Sequence, residues 1–386
     1  MKQYGKAVFS DVLRILLLPF CVFRIKRNRI IFTGLTGGSF YEYSCNLKYL
    51  CEYLMNNHPD EYEIIWVVKA PERYRDLEQK GIRFVKHFSV SSFYWLLTSR
   101  VVVSSGAYAP WFPFRKKQFV INTWHGGGAY KRIENSKPGA NWATRHRAEF
   151  CAQNIDLFVS SCHMATKELI RGSFCYEKEV AEIGMPRNDF LVKGECEEAK
   201  QAVRSFYKLD ADTHILLYAP TYRYSQKDIR LDADRLLKHL ERDGSKWVFL
   251  RRMHRYQDQK MKFYITGDRI TEASDYPDMQ QLLAAADIMI TDYSSNFWDY
   301  SFLKRPCYLY VPDLEEYLRN TGFYVDIHQW PFPMARDQEE LERIMEEFDA
   351  GKNEKRIQEH HRLMGCTETG ESCRLLAERI ERECRK

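Results

Sequence analysis

The sequence predicts an α/β protein made of two Rossmann-like halves with a ligand cleft between them. Short apolar runs alternate with helical patterns, as is typical of parallel sheets covered by helices on both faces. The alternation restarts after Gly184–Pro186, so the boundary between the halves is expected near residues 185–195. In such sheets ligands bind outside the carboxyl ends of the strands.

Apolar runs define the expected strands in order. In the first half they are Arg29–Gly34, Glu63–Lys69, Ile82–Lys86, Val101–Ser105, Gln118–Thr123 and Asp156–Ser160. In the second half they are His214–Ala219, Trp247–Arg252, Arg269–Glu272, Asp287–Thr291 and Cys307–Val311. Expected helices are Ser44–Asn57, Val90–Ser99, Glu195–Tyr207, Leu231–Asp243, Asp278–Ala286, Phe297–Leu303, Glu339–Glu347 and Glu371–Cys384.

Composition and charge exclude several classes of protein. The chain has 386 residues, of which 45% are hydrophobic, so it is not disordered, collagenous or a small disulfide-stapled protein. Residues 1–29 carry seven Lys/Arg and one acid, a net of +6, whereas the whole chain carries +5, so the rest sums to −1. A basic end indicates an anionic membrane surface and no nucleic acid. Eleven scattered cysteines without a CxxC pair indicate a reducing, cytoplasmic compartment.

Residues 1–28 form the predicted membrane-contact segment. The run 12–23 is apolar apart from Arg14, which is too short for a spanning helix of about 20 residues. Four apolar residues share one helical face, and four basic residues follow. These are Leu13, Leu16, Leu17 and Phe20, then Arg24, Lys26, Arg27 and Arg29. The alternative is an ordinary core helix of the first domain.

The first cluster that carries chemistry is Asn122–Gly128, directly after an expected strand. An imidazole can act as a general base near neutral pH, and His125 is placed for that work at the end of a strand. The three glycines that follow, from Gly126 on, would let a ligand approach the backbone. A flexible loop with a hydrogen-bonded histidine is the alternative. A second cluster, Gly184–Asp189, favours a structural role, in which Asn-Asp caps the next helix.

Three further strand ends in the second half carry candidate ligand-binding residues. Thr221 and Arg223 follow one strand and could face a phosphate, and the run Arg251–Arg255 makes a dense positive site that includes Arg252 and His254. The segment Asp287–Phe297 ends a strand in Thr-Asp and opens a helix with Ser294 and Ser295, an arrangement that suits an anion. Plain capping by either serine is the alternative. Asp292 is expected to orient backbone or ribose hydroxyls.

The missing motifs narrow the reaction class. The sequence has no Walker loop, HExxH, GxSxG or GxGxxG, which removes most kinase, protease, hydrolase and dehydrogenase interpretations. A base opposite a diphosphate cradle remains, and this describes a nucleotide-activated transfer. No acidic metal cage is evident and no cofactor is predicted, although a divalent metal such as Mg²⁺ is compatible with the chemistry.

Five motifs together resemble the CDP-glycerol glycerophosphotransferase family, the teichoic-acid primases and polymerases of Gram-positive bacteria. They are WHG at 124–126, GMPRND at 184–189, APTYR at 219–223, RMH at 252–254 and TDYSSNFWDYSFLKRPCYLYVPDLEEY at 291–317. The resemblance covers residues 29–375 and implies a GT-B fold with monotopic attachment at the cytoplasmic face of the membrane. It also implies an acceptor domain at 29–188, a donor domain at 189–370 and a separate C-terminal helix at 371–386.

The resemblance further implies substrates and roles. The donor would be CDP-glycerol and the acceptor a glycan linked to polyprenyl diphosphate. His125 matches the family's general base, His254 matches the histidine on the donor pyrophosphate, and Ser294 and Ser295 match its phosphate-binding serines. Arg223, Arg252 and Asp292 are weaker matches, and Gly126 belongs to the same binding loop. The length suits a primase-like or capsule-building enzyme.

The family motifs also show departures. The family usually has HGTP where this chain has HGGG at 125–128, and Pro where this chain has Arg255. It commonly has a Gly-Pro pair where this chain has WPFP at 330–333, which includes Phe332. The loop change concerns acceptor identity more than donor chemistry. Three alternatives therefore stay open: a CDP-ribitol ribitolphosphotransferase, a GT-B glycosyltransferase using a nucleotide sugar, and an inactive membrane-bound scaffold of a cell-wall complex.

Overall fold

The computed structural model describes residues 15–34, 42–106, 112–221, 228–253 and 263–386. The chain divides into two compact units, each built around a parallel sheet. The first unit comprises Met1–His125, Ala140–Asp189 and Thr367–Lys386, and the second comprises Gly126–Gly139 and Phe190–Cys366. These units differ from the expected domains in three places, because 126–139 joins the second unit, whereas the N-terminal segment and the C-terminal helix both join the first.

The first sheet has seven parallel strands in the order β3-β2-β1-β4-β5-β6-β7. The strands are β1 Lys26–Thr33, β2 Glu63–Val68, β3 Ile82–Lys86, β4 Ser99–Ser104, β5 Phe119–Asn122, β6 Leu157–Ser160 and β7 Glu179–Glu182. The six expected strands are all present. Their order in the sheet, from β3 at the edge to β6, is the doubly wound order, with its switch point between β1 and β4. β7 was not predicted, since this edge strand is polar and half exposed.

Helices cover this sheet and close its core. They are Cys45–Asn57, Arg75–Glu78, Val90–Thr98, Trp142–Ala152 and Ser372–Arg385, with a π-helical segment Ala165–Ser173 and three-residue to four-residue turns at Pro71–Tyr74 and Pro186–Asn188. Ser89 and Ser92 form a reciprocal capping box at the start of Val90–Thr98. The C-terminal helix buries Leu376 and Ile380 in the core of the first sheet, so it is part of this unit.

The second sheet has six parallel strands in the order β12-β10-β8-β13-β14-β15, and β9 and β11 pair separately. The bounds are β8 Thr213–Tyr218, β9 Ile229–Asp232, β10 Lys246–Arg251, β11 Phe263–Thr266, β12 Ile270–Glu272, β13 Ile288–Thr291, β14 Cys307–Tyr310 and β15 Met334–Ala335. The order is again doubly wound, with the switch point between β8 and β13. The expected α/β class and Rossmann-like topology are therefore confirmed for both units.

The helices of the second unit depart from expectation at several places, and the short helices Asp189–Lys193 and Leu314–Asn320 were not predicted. The full set is Asp189–Lys193 at the unit's boundary, Glu197–Tyr207, Ala233–Leu240, Met279–Ala285, Asn296–Ser301, Leu314–Asn320, Gln338–Glu346 and Ala350–Met364, with short 3-10 turns at Glu134–Ser136, Glu241–Asp243 and Ile327–Gln329. The helix expected from Leu231 starts two residues later, because Ile229–Asp232 is a strand and Asp232 caps Ala233–Leu240 by accepting from the Arg235 N–H. Helix Ala350–Met364 was not predicted, since its apolar positions are few.

The N-terminal segment differs from the single amphipathic helix that was expected. Residues Leu18–Val22 form a 3-10 helix with Pro19 near its start, and Leu13 lies outside the described residues. Leu17 is 4% exposed whereas Leu16 is 63% exposed, so these two residues do not share one outward face. In the described parts of the chain, every helix is too short or too polar to cross a bilayer.

Arg29 corrects the expected basic cluster. It is 1% exposed inside β1, where its Nε donates to Glu63 Oε2 at 2.9 Å and its guanidinium lies over the Trp95 ring. A buried, paired arginine cannot meet a membrane. Among the described residues of this segment, Arg24, Lys26 and Arg27 are exposed basic residues. None of the eleven cysteines, all of which lie in the described residues, forms a disulfide, and five of them are buried.

Candidate active site

The first unit holds His125 just beyond β5, next to the end of β4. The His125 Nδ1 lies 3.0 Å from the Ser105 carbonyl oxygen, which can only accept a hydrogen bond. The proton of the neutral ring is therefore on Nδ1, and its lone pair is on Nε2. The Trp124 ring lies 4.0 Å from the imidazole and covers one side of it. This tautomer and packing suit a general base acting through Nε2.

Buried polar groups from distant parts of the chain hold the backbone around His125. The Asn46 side-chain amide donates to the Thr123 carbonyl at 3.3 Å and to the Trp124 carbonyl at 3.0 Å. The Arg187 guanidinium donates to the carbonyl of His125 itself. Trp124 has a φ of +52°, a left-handed conformation that costs an ordinary residue energy, so these bonds also stabilise a strained turn. Asn46 and Arg187 are 0% and 3% exposed.

The cluster 184–189 is therefore the support of the His125 loop. Gly184 has a φ of +88°, and a Cβ there would lie 2.6 Å from Glu368 Oε2. The Glu368 carboxylate accepts from the Met185 N–H at 2.8 Å and the Asn188 amide at 3.0 Å. Asp189 accepts from the backbone N–H groups of Ser372 and Cys373, and burial raises its pKa. Asp189 thus caps the C-terminal helix, whereas the sequence predicted that it caps the next helix.

The glycines after His125 pack against the second unit's own side chains. A Cβ at Gly127 would overlap the Trp298 ring, and a Cβ at Gly128 would overlap Tyr130. Gly128 also has a φ of +65°, which proline cannot adopt. Gly127 and Gly128 are buried, so packing requires glycine at both positions, and the expected approach of a ligand to this backbone stays a prediction. Gly126 is half-buried, and its expected role in substrate binding stays a prediction.

In the second unit, Asp292 lies at the switch point of the sheet. Its two carboxylate oxygens accept from the Thr221 backbone N–H at 2.8 and 2.9 Å, and the residue is 1% exposed. The Thr291 hydroxyl donates to the Ala219 carbonyl at 2.7 Å. These bonds tie the chain after β8 to the chain after β13, at the place where doubly wound sheets bind ligands.

Arg252 and the serine pair lie beside this point. Arg252 follows β10, and its Nη1 donates to the carbonyls of Ala273 and Tyr276 at 3.0 and 2.7 Å. Ser294 and Ser295 are half-buried before helix Asn296–Ser301. The Ser294 hydroxyl accepts from the Asn296 N–H at 3.4 Å, a weak cap, and Ser295 makes no side-chain cap. Phosphate binding by these three residues stays a prediction.

Two of the expected site residues, Arg223 and His254, lie outside the described residues. The structure adds three residues that the sequence did not single out for the site: Asn46, Arg187 and Lys131. Lys131 belongs to the second unit, and its Nζ lies 3.2 Å from the Thr221 hydroxyl. Arg187 was inside a quoted motif, but Asn46 is 79 residues before His125, so no local pattern could have connected them.

The described residues contain no group of three His, Cys, Asp or Glu side chains that could hold a metal ion. At the switch point of the second sheet, the Asp292 carboxylate accepts from the Thr221 N–H, and the neighbouring groups are hydroxyl, guanidinium and ammonium groups. That set of groups is suited to binding anions.

Comparison with known proteins agrees with these features. Residues 16–382 match the family model of CDP-glycerol:poly(glycerophosphate) glycerophosphotransferase. The teichoic acid poly(glycerol phosphate) polymerase of Bacillus subtilis (strain 168) is 31% identical over 337 residues, which are 82% of this chain and 43% of that protein. The protein of the same name from Bacillus spizizenii is 29% identical over 395 residues, covering 97% of this chain and 96% of its own length.

A solved structure of the wall teichoic acid polymerase TagF has a TM-score of 0.79 to this chain at 25% identity, covering 100% of this chain and 96% of that one. The chain thus spans less than half of the Bacillus subtilis relative and nearly all of the Bacillus spizizenii one. The family that the sequence motifs indicated is confirmed, as is the GT-B-like fold of its two α/β units. The chain belongs to the CDP-glycerol:poly(glycerophosphate) glycerophosphotransferase family.

Proposed function

We propose that this enzyme transfers glycerol phosphate from CDP-glycerol to a hydroxyl of a membrane-bound, polyprenyl-linked glycan or of a growing teichoic-acid or capsule chain, and releases CMP. The observation that carries this proposal is the family match over residues 16–382. The matched range includes His125 and the strand ends of the second unit that carry the candidate phosphate-binding residues. Family members are transferases, and the anion-binding groups of the second unit suit a nucleoside diphosphate donor.

On the acceptor side, His125 acts as the general base. Its Nε2 removes the proton of the acceptor hydroxyl while that oxygen attacks the β-phosphorus of CDP-glycerol. The new P–O bond forms as the bond to the bridging oxygen breaks, and the bond's electrons leave with CMP. The Ser105 carbonyl, which accepts from Nδ1–H, stabilises the imidazolium that results. Arg187 and Asn46 are positioning residues, because they are buried and hold the backbone of His125 and of the two residues before it.

On the donor side, the diphosphate binds at the switch point of the second sheet. Ser294, Ser295 and Arg252 supply donors there, and Arg223 and His254 join them by the family resemblance. Asp292 acts by holding Thr221, since both of its oxygens accept from that backbone N–H. The cationic groups offset the charge of the departing CMP, which is the main electrostatic requirement of phosphoryl transfer.

The N-terminal segment holds the enzyme at the cytoplasmic face of the membrane as a peripheral protein. Ile15, Leu16 and Val22 are 63%, 63% and 81% exposed, an unusual exposure for large apolar side chains. Arg24 and Arg27 are exposed directly after them. Exposed apolar residues beside cations suit an anionic lipid surface, where the polyprenyl-linked acceptor also resides.

Product mass tests the proposal. The enzyme is offered CDP-glycerol, CDP-ribitol or UDP-sugars together with a lipid-linked disaccharide, and both the lipid product and CMP are measured. We expect CMP release and addition of glycerol phosphate with CDP-glycerol. Addition of ribitol phosphate or a sugar instead would identify one of the two enzymatic alternatives. Absence of turnover with every donor would favour the inactive scaffold.

A further inference from the structure

The segment after His125 is built into the second unit by backbone hydrogen bonds. Lys131 forms an antiparallel bridge with Phe323, the Arg132 N–H donates to the Gly322 carbonyl at 3.1 Å, and the Tyr324 N–H donates to the Tyr130 carbonyl at 2.8 Å. These bonds lie on both sides of Lys131. Its backbone is therefore fixed relative to residues 322–324 of the second unit.

The neighbouring Tyr130 anchors the same segment through its side chain. The ring is 3% exposed, with centroid distances of 4.4 Å to Phe297 and 5.0 Å to Trp330. The Tyr130 hydroxyl donates to His360 Nε2 at 2.9 Å, while His360 Nδ1 donates to the Gln329 carbonyl at 2.9 Å. A lysine that follows such an anchor has limited freedom to move its Cα, so the reach of its side chain is restricted as well.

The Lys131 side chain extends to the switch point of the second sheet. Its Nζ lies 3.2 Å from the Thr221 hydroxyl, and the Thr221 backbone N–H is held by Asp292. Thr221 thus contacts both the Lys131 ammonium and the Asp292 carboxylate, which joins the ends of β8 and β13. Lys131 is half-buried, which lowers the screening of its charge compared with a lysine in open solvent.

We propose that Lys131 binds the diphosphate of the nucleotide donor. This inference rests on the proposed function and adds to it a cation that the sequence assigned to the other half of the chain. An ammonium has three N–H donors, so it can bridge the Thr221 hydroxyl and phosphate oxygens together. Lys131 lies only six residues after His125, so one short segment carries both the base and a donor-binding charge.

Calorimetric titration with CDP-glycerol, CDP and cytidine tests this inference. The variants are Lys131→Ala and Lys131→Gln, and Lys137→Ala is the matched control, since Lys137 is an exposed lysine of the same segment. We expect both Lys131 variants to weaken CDP-glycerol and CDP binding about tenfold to a hundredfold. Cytidine binding and the Lys137→Ala variant should match the wild type. The difference between Lys131→Gln and wild type should shrink at high salt, because a charge is lost.

The outcomes separate this inference from the proposed function. A wild-type protein that binds neither CDP-glycerol nor CDP would overturn the proposed function itself. Normal CDP-glycerol binding by Lys131→Gln, with binding by the wild type intact, would overturn the inference alone. Glutamine keeps an N–H donor toward Thr221, so this variant still decides the matter if Lys131→Ala fails to fold. Equal loss of cytidine and CDP affinity would show a purely structural role and would also overturn it.

Discussion

The two units support their strand-end sites in different ways. Around His125, buried polar side chains donate to backbone carbonyls, and the donors come from Asn46 and Arg187. In the second unit, the segment 126–139 is held by backbone hydrogen bonds to residues 322–324 together with aromatic packing around Tyr130 and a neutral histidine. Hydrogen bonds are directional and fix the orientation of a loop, which a general base requires. The segment 126–139 thus combines backbone hydrogen bonds with aromatic packing, whereas the His125 loop depends on bonds from buried polar side chains.

The largest expected effect comes from removing the base. His125→Ala should lower the transfer rate by about 10²–10⁴-fold, since this is the usual contribution of a general base. Donor affinity should remain near that of the wild type, because the proposed donor groups belong to the second unit. Single-turnover rates and CDP-glycerol titration measure the two quantities separately. A variant that keeps the full rate would show that His125 is not the base.

Acid should affect the second unit more than the first. Burial lowers the pKa of His360 from 6.5 to about 4, so between these values the unfolded chain binds more protons than the folded one. Stability therefore rises with pH across that window, and acidification to pH 4 should cost on the order of 3 kcal/mol. Burial raises the pKa of Asp189 in the first unit, which acts in the opposite direction.

Hydrogen exchange of peptides from each unit, followed between pH 7 and pH 4, measures this difference. Exchange rates must first be corrected for the intrinsic effect of pH. Protection should fall mainly in the second unit, and His360→Gln should flatten the pH dependence there. Equal loss of protection in both units would contradict the assignment.

Arg187 tests the polar support of the first unit. Arg187→Met removes the bond to the His125 carbonyl. The free energy of unfolding should fall by about 1.5–3 kcal/mol, the usual range for a hydrogen bond to a charged group. We expect kcat to fall roughly tenfold or more while KM for CDP-glycerol is unchanged. Arg187→Lys should restore part of the rate. A change confined to KM would contradict the positioning role.

The packing of Gly127 against Trp298 predicts that a larger side chain at position 127 can be compensated by a smaller one at position 298. Gly127→Thr, which introduces the residue usual in the family, should clash with Trp298 and destabilise the protein by about 1–3 kcal/mol. Trp298→Phe should recover part of that loss in the double variant, because it vacates the space beside position 127. Denaturant unfolding of the single and double variants measures the coupling. Additive effects would indicate that the two residues do not compete for space.

The smallest expected effect per residue concerns the membrane. Replacing Arg24 and Arg27 with Gln should weaken binding to anionic liposomes at low salt by about 1 kcal/mol per charge. Cosedimentation with the liposomes measures this binding. The matched control is Lys352→Gln with Lys355→Gln, which removes two exposed charges from the second unit. If both double variants sediment alike, the N-terminal segment is not the basic membrane contact.

Much of the fold followed from local patterns. Apolar runs such as Ile64–Val68 are buried on both faces of a parallel sheet, so they stand out in the sequence. The edge strand β7 and helix Ala350–Met364 were missed because their burial comes from neighbours that the local sequence does not reveal. Arg29 was placed with the exposed cations for the same reason, since its partner Glu63 is on the next strand.

The sequence by itself determined the α/β class, the two Rossmann-like repeats, the family and the position of His125 at a strand end, because each depends on residues close together in the chain. The tertiary structure decided to which unit each segment belongs. Residues 126–139 belong to the second unit and 367–386 to the first, since the partners of Tyr130 and Leu376 are far away in the sequence. It also decided that Lys131 reaches Thr221 and that Arg187 holds His125, because hydrogen bonds between distant residues leave no periodic signal.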